Sequence, residues 1–119
     1  MAAGFVRNWM CQLDHEEVWA VFLTGNNSVI CDMMLSKGTL TQTSIDCRTV
    51  LRNALLVNAA SLILLHNHPS GTPLPSVSDI NFTNQLRKVC ALMDILLLDH
   101  IIITADTFYS FAEESTLKY

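Results

Sequence analysis

The sequence predicts a single α/β domain in which a mixed β-sheet is sandwiched by helices. The 119 residues correspond to one domain, and half of them are hydrophobic, which is enough for a substantial core. Apolar segments of strand length alternate along the chain with two longer amphipathic segments. The resulting element order, β-β-α-β-α-β-β, is typical of helices packed on a mixed sheet.

The first two strands form a predicted hairpin. Residues 16–24 are rich in β-branched and aromatic side chains, as strands are. Residues 25–28, Gly-Asn-Asn-Ser, are a turn signal, and residues 29–36 supply the paired strand. We expect one domain over residues 1–119, in which residues 1–13 are irregular or the remnant of a longer N-terminal region.

Two helices follow from apolar residues at helical spacing. Asp46 can cap a helix from about residue 47 to 58, and a second helix runs from about residue 76 to 92. The first apolar stripe comprises Val50, Leu51, Ala54, Leu55 and Val57, and the second comprises Phe82, Leu86, Val89 and Met93.

Three further strands complete the predicted sheet. Residues 61–66 are continuously apolar, which indicates a strand covered on both faces. Residues 95–104 form a strand with an interruption near Asp99, and residues 108–113 form the last one.

The composition favours a soluble, cytoplasmic protein. No apolar run is long enough to span a bilayer, and no signal peptide opens the chain. The net charge of −4 and the scattered positions of the seven basic residues disfavour direct binding to nucleic acids, which relies on clustered Lys and Arg. The four cysteines form no C-x-x-C pair, so we expect reduced thiols and no cysteine-based zinc site.

Two histidines follow the apolar strand 61–66 in a pattern typical of metal ligands. Side chains at i and i+2 of a strand point the same way, so His66 and His68 can converge on one point while Asn67 points away. Asp79, in the first turn of the next helix, can direct its carboxylate to the same point. Two histidines and one carboxylate leave a fourth tetrahedral position for water, as in catalytic zinc sites. Zinc there would make hydroxide available at neutral pH.

Hydrolysis at such a site also requires a base and support for a developing oxyanion. The hydroxyl of Ser76, three residues before Asp79, can supply the oxyanion support. Glu16 and Glu17 open an otherwise apolar strand, where a carboxylate is typical of a general base.

Each feature also has a structural interpretation. Ser76-x-x-Asp79 is an N-cap with an acidic third residue, and His66 and His68 could be ordinary loop residues. Capping and metal binding are compatible, however, and the conjunction of the features favours a site.

Three similar patterns are excluded. HNH nucleases spread their motif across a hairpin, whereas here the three letters are adjacent at residues 66–68. His15 starts an H-E sequence without the second histidine of H-E-x-x-H, and the H-x-E and P-C-x-x-C motifs of zinc deaminases are missing.

The spacing His66-x-His68, seven residues, then Ser76-x-x-Asp79 resembles the JAMM motif of JAB/MPN-domain metalloproteases. Further segments resemble the bacterial RadC family, and the likeness runs from about residue 12 to 113. These segments are GTL (38–40), HNHPSG (66–71), PS (75–76), DI (79–80), LLDHIII (97–103) and YSFAE (109–113).

This resemblance implies a three-layer JAB/MPN fold similar to that of cytidine deaminases. It implies zinc held by His66, His68 and Asp79, with Ser76 assisting the oxyanion. The family's base aligns without gaps with Glu16. The implied reaction is hydrolysis of a peptide or isopeptide bond.

Two functions follow as expectations. The first is a zinc-dependent JAMM-type hydrolase with the DNA-repair association of the RadC family. The alternative is a non-catalytic JAB-fold interaction module in DNA repair or mobile-element biology. Asp99 and His100 also belong to the family pattern. One interpretation is that His100 lines the cleft, and the one we favour is a hydrogen-bonded structural pair between strands. Exposed strand edges make a homo-oligomer plausible.

Overall fold

The computed structural model describes residues 10–37 and 46–114. In these residues the elements follow the predicted order, which confirms the α/β class. The strands are β1 (Glu17–Leu23), β2 (Val29–Lys37), β3 (Ser61–Asn67), β4 (Leu96–Ile103) and β5 (Phe108–Ser110), and the helices are α1 (Cys47–Leu56) and α2 (Val77–Leu92). The GTL segment and residues 1–9 of the expected irregular N-terminus lie outside the described residues.

The five strands form one mixed sheet in the order β2-β1-β3-β4-β5. Only β3 and β4 are parallel, and the other neighbouring pairs are antiparallel. Parallel neighbours require a crossover, and α2 provides it between β3 and β4. The crossover returns the chain along the sheet, so the first turn of α2 lies near the carboxyl end of β3.

The two faces of the sheet carry separate apolar clusters. On the helix face, both helices contribute to a cluster with Val18, Ala20, Phe22, Leu62 and Leu64 of the central strands. On the opposite face, the cluster contains Met10, Val21, Leu23, Ile63, Leu65, Ile101 and Ile103. Because side chains alternate along a strand, even-numbered residues of β1 and β3 lie on the helix face and odd-numbered ones on the opposite face.

Helix α1 is shorter than predicted. It ends at Leu56 because Asn58 adopts the left-handed conformation that terminates helices, with φ of 58°. Leu55, expected in the buried stripe, is 48% exposed, whereas Val50 and Ala54 are buried. None of the helices in the described residues is long and apolar enough to cross a membrane.

The buried stripe of α2 differs from the predicted one. Leu86 is buried as expected, but Phe82 and Val89 are only partly buried and Met93 is 49% exposed. The buried residues of this helix are Asp79, Thr83, Leu86 and Cys90. Two of these are polar, so hydrophobic periodicity alone could not place the stripe.

Strand β5 ends three residues before the predicted limit. Beyond Ser110 the backbone N–H of Ala112 donates to the Asp99 carboxylate and that of Glu113 donates to the Ser110 hydroxyl. These side-chain acceptors turn the chain away from the ladder.

Candidate metal centre

His66 and His68 converge on the helix face, as their spacing predicted. His66 is near the end of β3, only 1% exposed, on the same face as Leu62 and Leu64. Its ring centroid lies 4.7 Å from that of His68, with the rings at 89°. Two imidazoles therefore share one small region at the carboxyl end of β3.

Glu16 reaches the same region from the residue before β1. Val18 pairs with His66 in the antiparallel ladder, so Glu16 continues the helix face beyond the pair. Its Oε2 is 3.7 Å from His66 Nε2. Glu16, His66 and His68 each offer a ligand atom, and these atoms lie within 4.8 Å of one another.

Glu17 points to the opposite face. Its Oε1 accepts a hydrogen bond of 2.8 Å from Trp19 Nε1, and its Oε2 is 2.7 Å from His15 Nε2. Burial alone would raise the pKa of Glu17, but these two partners hold it below its ordinary value. Of the two glutamates left open by the residue pattern, the structure therefore brings Glu16 to the histidines. The role of Glu16 as a base stays a prediction.

Asp79 lies against both imidazoles from the first turn of α2. Its Oδ2 is 3.5 Å from His68 Nε2, and its Oδ1 is 3.9 Å from His66 Nδ1. Burial opposes ionisation of Asp79, yet His68 and the Ser76 backbone amide hold its pKa well below the usual range. Asp79 is therefore an ionised carboxylate next to the group formed by Glu16, His66 and His68.

The tautomer of His68 leaves one nitrogen for this region. Its Nδ1 lies 2.9 Å from the Thr72 carbonyl, which can only accept a hydrogen bond, so Nδ1 carries the hydrogen. In the neutral ring the lone pair is then on Nε2, the nitrogen nearer Asp79. When the ring is protonated, Nε2 also carries a hydrogen that it can donate to the Asp79 carboxylate, so Asp79 and, to a lesser extent, Thr72 raise the pKa of His68. An outer hydrogen bond of this kind is typical of metal-ligating histidines.

Ser76 is the N-cap of α2, and the predicted cap is confirmed. Its Oγ accepts from the Asp79 N–H at 3.0 Å, and its own N–H donates to Asp79 Oδ2 at 2.9 Å. This capping box fixes the Asp79 carboxylate. It leaves the hydroxyl hydrogen of Ser76 available, so capping is compatible with the oxyanion role, which stays a prediction.

Several ligand atoms in this region have no hydrogen-bond partner within the described residues. They are both ring nitrogens of His66 and Oε2 of Glu16, all of them buried. Buried polar atoms are nearly always bonded, and a metal ion can satisfy one nitrogen of each imidazole. All four cysteines are free thiols outside the group, so the available donors are imidazoles and carboxylates.

Thr83 and His100 lie next to Asp79. The sequence pattern left open that His100 lines the cleft, but it gave no indication of Thr83. The Thr83 hydroxyl donates to the Asp79 carbonyl at 2.7 Å, so the contact of 2.6 Å with His100 Nδ1 has the imidazole as donor. His100 is fully buried and lies between Phe111 and His66, with centroids 4.6 and 5.9 Å away. Burial lowers its pKa to about 3, so the ring is neutral.

The Asp99–His100 prediction holds for Asp99 and changes for His100. Asp99 accepts from the backbone N–H of His100 at 2.8 Å and from Ser110 Oγ at 2.6 Å, which ties β4 to β5. The His100 side chain is on the helix face, where it contacts Thr83 instead. The Asp99-His100 sequence singled out this histidine, but its side-chain partner, Thr83, lies 17 residues earlier, in α2.

A comparison of the sequence with known families finds a match. A family described as RadC-like JAB domain matches residues 1–116. The resemblance found from the motifs is therefore confirmed.

Relatives of similar sequence are named UPF0758 proteins. One from Leptothrix cholodnii is 43% identical over 113 residues, which cover 95% of this chain and 51% of that protein. One from Flavobacterium johnsoniae is 43% identical over 103 residues, which cover 87% of this chain and 45% of that protein. One from Herminiimonas arsenicoxydans is 47% identical over 92 residues, covering 77% and 41%. The chain thus spans about half the length of the curated relatives it matches.

Proposed function

This chain belongs to the RadC-like JAB domain family, and from that membership and the convergence of Glu16, His66 and His68 we propose that it is a zinc-dependent hydrolase. The bond it cleaves is a peptide or isopeptide bond.

The observation that carries the proposal is the set of buried, unbonded ligand atoms. His66 has two ring nitrogens without a hydrogen-bond partner within the described residues, and Glu16 Oε2 beside them has none. Leaving such atoms unbonded costs about 1–3 kcal/mol each. A cation bound by one His66 nitrogen and facing the Glu16 carboxylate would offset part of this cost, whereas a purely structural cluster would have been expected to pair these atoms with each other.

The donor set supports zinc. Two imidazoles with one or two carboxylates are ligands that zinc accepts in catalytic sites, and thiolates are not required. His66, His68 and Asp79 would hold the ion, and Glu16 would stay beside it. When bound, zinc supplies Lewis-acid activation of water at neutral pH.

The remaining residues have assigned roles in the hydrolysis. Glu16 accepts the proton of the attacking water and passes it to the leaving amine. The Ser76 hydroxyl, whose hydrogen is not used by the capping box, donates to the oxyanion that develops on the scissile carbonyl. His68 and Asp79 keep their orientations through Thr72 and the Ser76 N–H.

Metal content tests the first half of the proposal. We expect roughly one zinc per chain by elemental analysis at neutral pH. Both His66→Ala and Asp79→Ala should lower the zinc affinity by roughly 100-fold or more relative to the native chain. His15→Ala is the matched control, because this histidine lies beside the same strand but pairs with Glu17 on the opposite face. Equal zinc affinity in the native chain and in His66→Ala would contradict the site.

Glu16→Gln tests the second half. This variant should keep zinc and lose roughly 100-fold or more in kcat on a fluorogenic library of peptides and isopeptide-linked peptides. If Glu16→Gln cleaves such substrates as fast as the native chain, the base assignment is wrong. If the zinc-loaded native chain cleaves none of them, the result favours the interaction-module alternative.

A further inference from the structure

Asn67, the residue between the two histidines, ties β3 to the start of β1 through its side chain. Its Oδ1 accepts a hydrogen bond of 2.6 Å from the Glu17 N–H, and its Nδ2 donates one of 2.7 Å to the His15 carbonyl. These two backbone groups lie on either side of Glu16. Asn67 is only 2% exposed, so water does not compete for the two bonds.

Glu16 lies where the ladder no longer holds it. Strand β1 begins at Glu17, and the pairing with β3 begins with Val18 opposite His66. The side chain of Asn67 therefore takes the place of the backbone bonds that would fix this stretch. A shift of about 1 Å at a reacting group can cost roughly 100-fold in rate, so the position of this backbone matters for a base.

Side chains of the opposite face reinforce the tether. The Glu17 carboxylate is held by Trp19 Nε1 at 2.8 Å and by His15 Nε2 at 2.7 Å. The residues on both sides of Glu16 are thus anchored on one face, while Glu16 itself points to His66 on the other. The arrangement fixes the backbone of residues 15–17 without using any atom of the metal group.

We propose that Asn67 is a positioning residue for Glu16. It contacts neither metal nor substrate, and it acts by holding the backbone of residues 15–17 so that the Glu16 carboxylate stays beside His66. The inference rests on the proposed function for the role of Glu16, but the tether itself can be measured without metal or substrate. If it is right, substitutions at Asn67 act through Glu16 and not through the histidines.

Amide hydrogen exchange on the metal-free chain tests the tether. In Asn67→Leu, which is similar in size and lacks both hydrogen bonds, the Glu17 amide should exchange about tenfold faster relative to the amides of Ala20 and Phe22. Leu65→Ala is the control, since it weakens the same face of the same strand and leaves the tether intact, so its effect should be even along β1. Unchanged relative exchange at Glu17 would overturn the proposal.

A double-mutant cycle with Co²⁺ as the probe tests the coupling to Glu16. Asn67→Leu should change the visible absorption of the Co²⁺-loaded chain, and the same substitution in a Glu16→Gln background should change it no further. Its Co²⁺ affinity should fall by less than about threefold, against roughly 100-fold for His66→Ala. Equal spectral changes in both backgrounds would show that Asn67 does not act through Glu16, and would overturn the assignment.

The outcomes separate this inference from the proposed function. If the native chain binds no Co²⁺, the proposed function fails, while the exchange measurement still decides whether Asn67 holds Glu17. If Asn67→Leu does not fold, Asn67→Ala replaces it, because alanine also lacks both hydrogen bonds and is smaller than asparagine. That variant should likewise raise the relative exchange at Glu17 about tenfold, and no rise at all would count against the tether.

Discussion

Glu17 and Asn67 directly follow Glu16 and His66 in the sequence, yet the first pair has its polar side-chain atoms hydrogen-bonded and the second has buried atoms without a hydrogen bond. On the helix face, Glu16 Oε2 and both His66 nitrogens are buried without a hydrogen-bond partner within the described residues. On the opposite face, the Glu17 carboxylate and the Asn67 amide are bonded at 2.6 to 2.8 Å. In both segments, a residue with unbonded ligand atoms is thus followed directly by a residue whose side chain is hydrogen-bonded.

The difference shows how a sheet can place stabilising polar contacts on one face and candidate metal ligands on the other. Alternation sends neighbouring residues to opposite faces, so one strand end can build two unlike polar clusters. Bonded buried groups hold the strand ends together, whereas unbonded ones are destabilising unless something binds them. We therefore expect substitutions of Glu17 or Asn67 to affect folding and substitutions of Glu16 or His66 to affect metal binding.

Exchanging each glutamate for alanine should give the largest contrast in stability. Glu17→Ala removes the acceptor for Trp19 and His15, and it should lower the free energy of unfolding by about 1–3 kcal/mol. Glu16→Ala removes a carboxylate whose Oε2 is buried without a bond, so it should leave the free energy of unfolding unchanged or raise it by up to about 1–3 kcal/mol. Urea unfolding of the metal-free variants at pH 8 measures both values.

The chelator that keeps these variants metal-free is the control in that measurement, because it keeps a bound ion away from Glu16. A greater loss of stability in Glu16→Ala than in Glu17→Ala would reverse the comparison. It would mean that the helix face, and not the opposite face, holds the strand ends.

Acid should change the stability contributed by two histidines, His100 on the helix face and His15 on the opposite face, in opposite directions. Burial lowers the pKa of His100 to about 3, so between pH 6.5 and 3 the unfolded chain binds a proton that the folded chain does not. Stability from His100 is therefore lost as pH falls, by about 2 kcal/mol by pH 5. Asp14 and then Glu17 raise the pKa of His15, so its contribution is present below about pH 6.5 and lost as pH rises through the raised pKa.

Unfolding free energies measured from pH 8 to pH 5 check both signs. His100→Gln should show a shallower fall toward acid than the native chain, and His15→Ala a steeper one. The slopes matter here and not the absolute values, because His100→Gln also disturbs the bond to Thr83. Identical slopes in the native chain and His100→Gln would mean that the His100 ring titrates normally in the folded state.

The sequence was sufficient for the class of fold and for the meeting of the two histidines. Alternation within β3 depends only on neighbours in the chain, so the i, i+2 spacing of His66 and His68 was enough. The start of α2 could likewise be predicted from Ser76 and Asp79, because a capping box involves only residues close together in the chain.

Long-range contacts explain what the pattern could not decide. The choice between Glu16 and Glu17 depends on the register of β1 against β3, which pairs Val18 with His66. The burial of Thr83 depends on a partner in β4, so a polar residue occupies a position that periodicity assigns to apolar ones. These contacts join residues far apart in the chain, and single-segment patterns carry no signal for them.

The smallest expected effect separates capping from metal binding at Ser76. Ser76→Ala removes the acceptor for the Asp79 N–H and should lower stability by about 1 kcal/mol. Zinc affinity should change by less than about threefold, because the bond that fixes the Asp79 carboxylate comes from the Ser76 backbone and survives the substitution. Urea unfolding and chelator competition measure the two quantities, and Ser76→Thr, which keeps a hydroxyl cap, is the control. A loss of zinc affinity as large as that of Asp79→Ala would instead make the Ser76 hydroxyl part of the metal group.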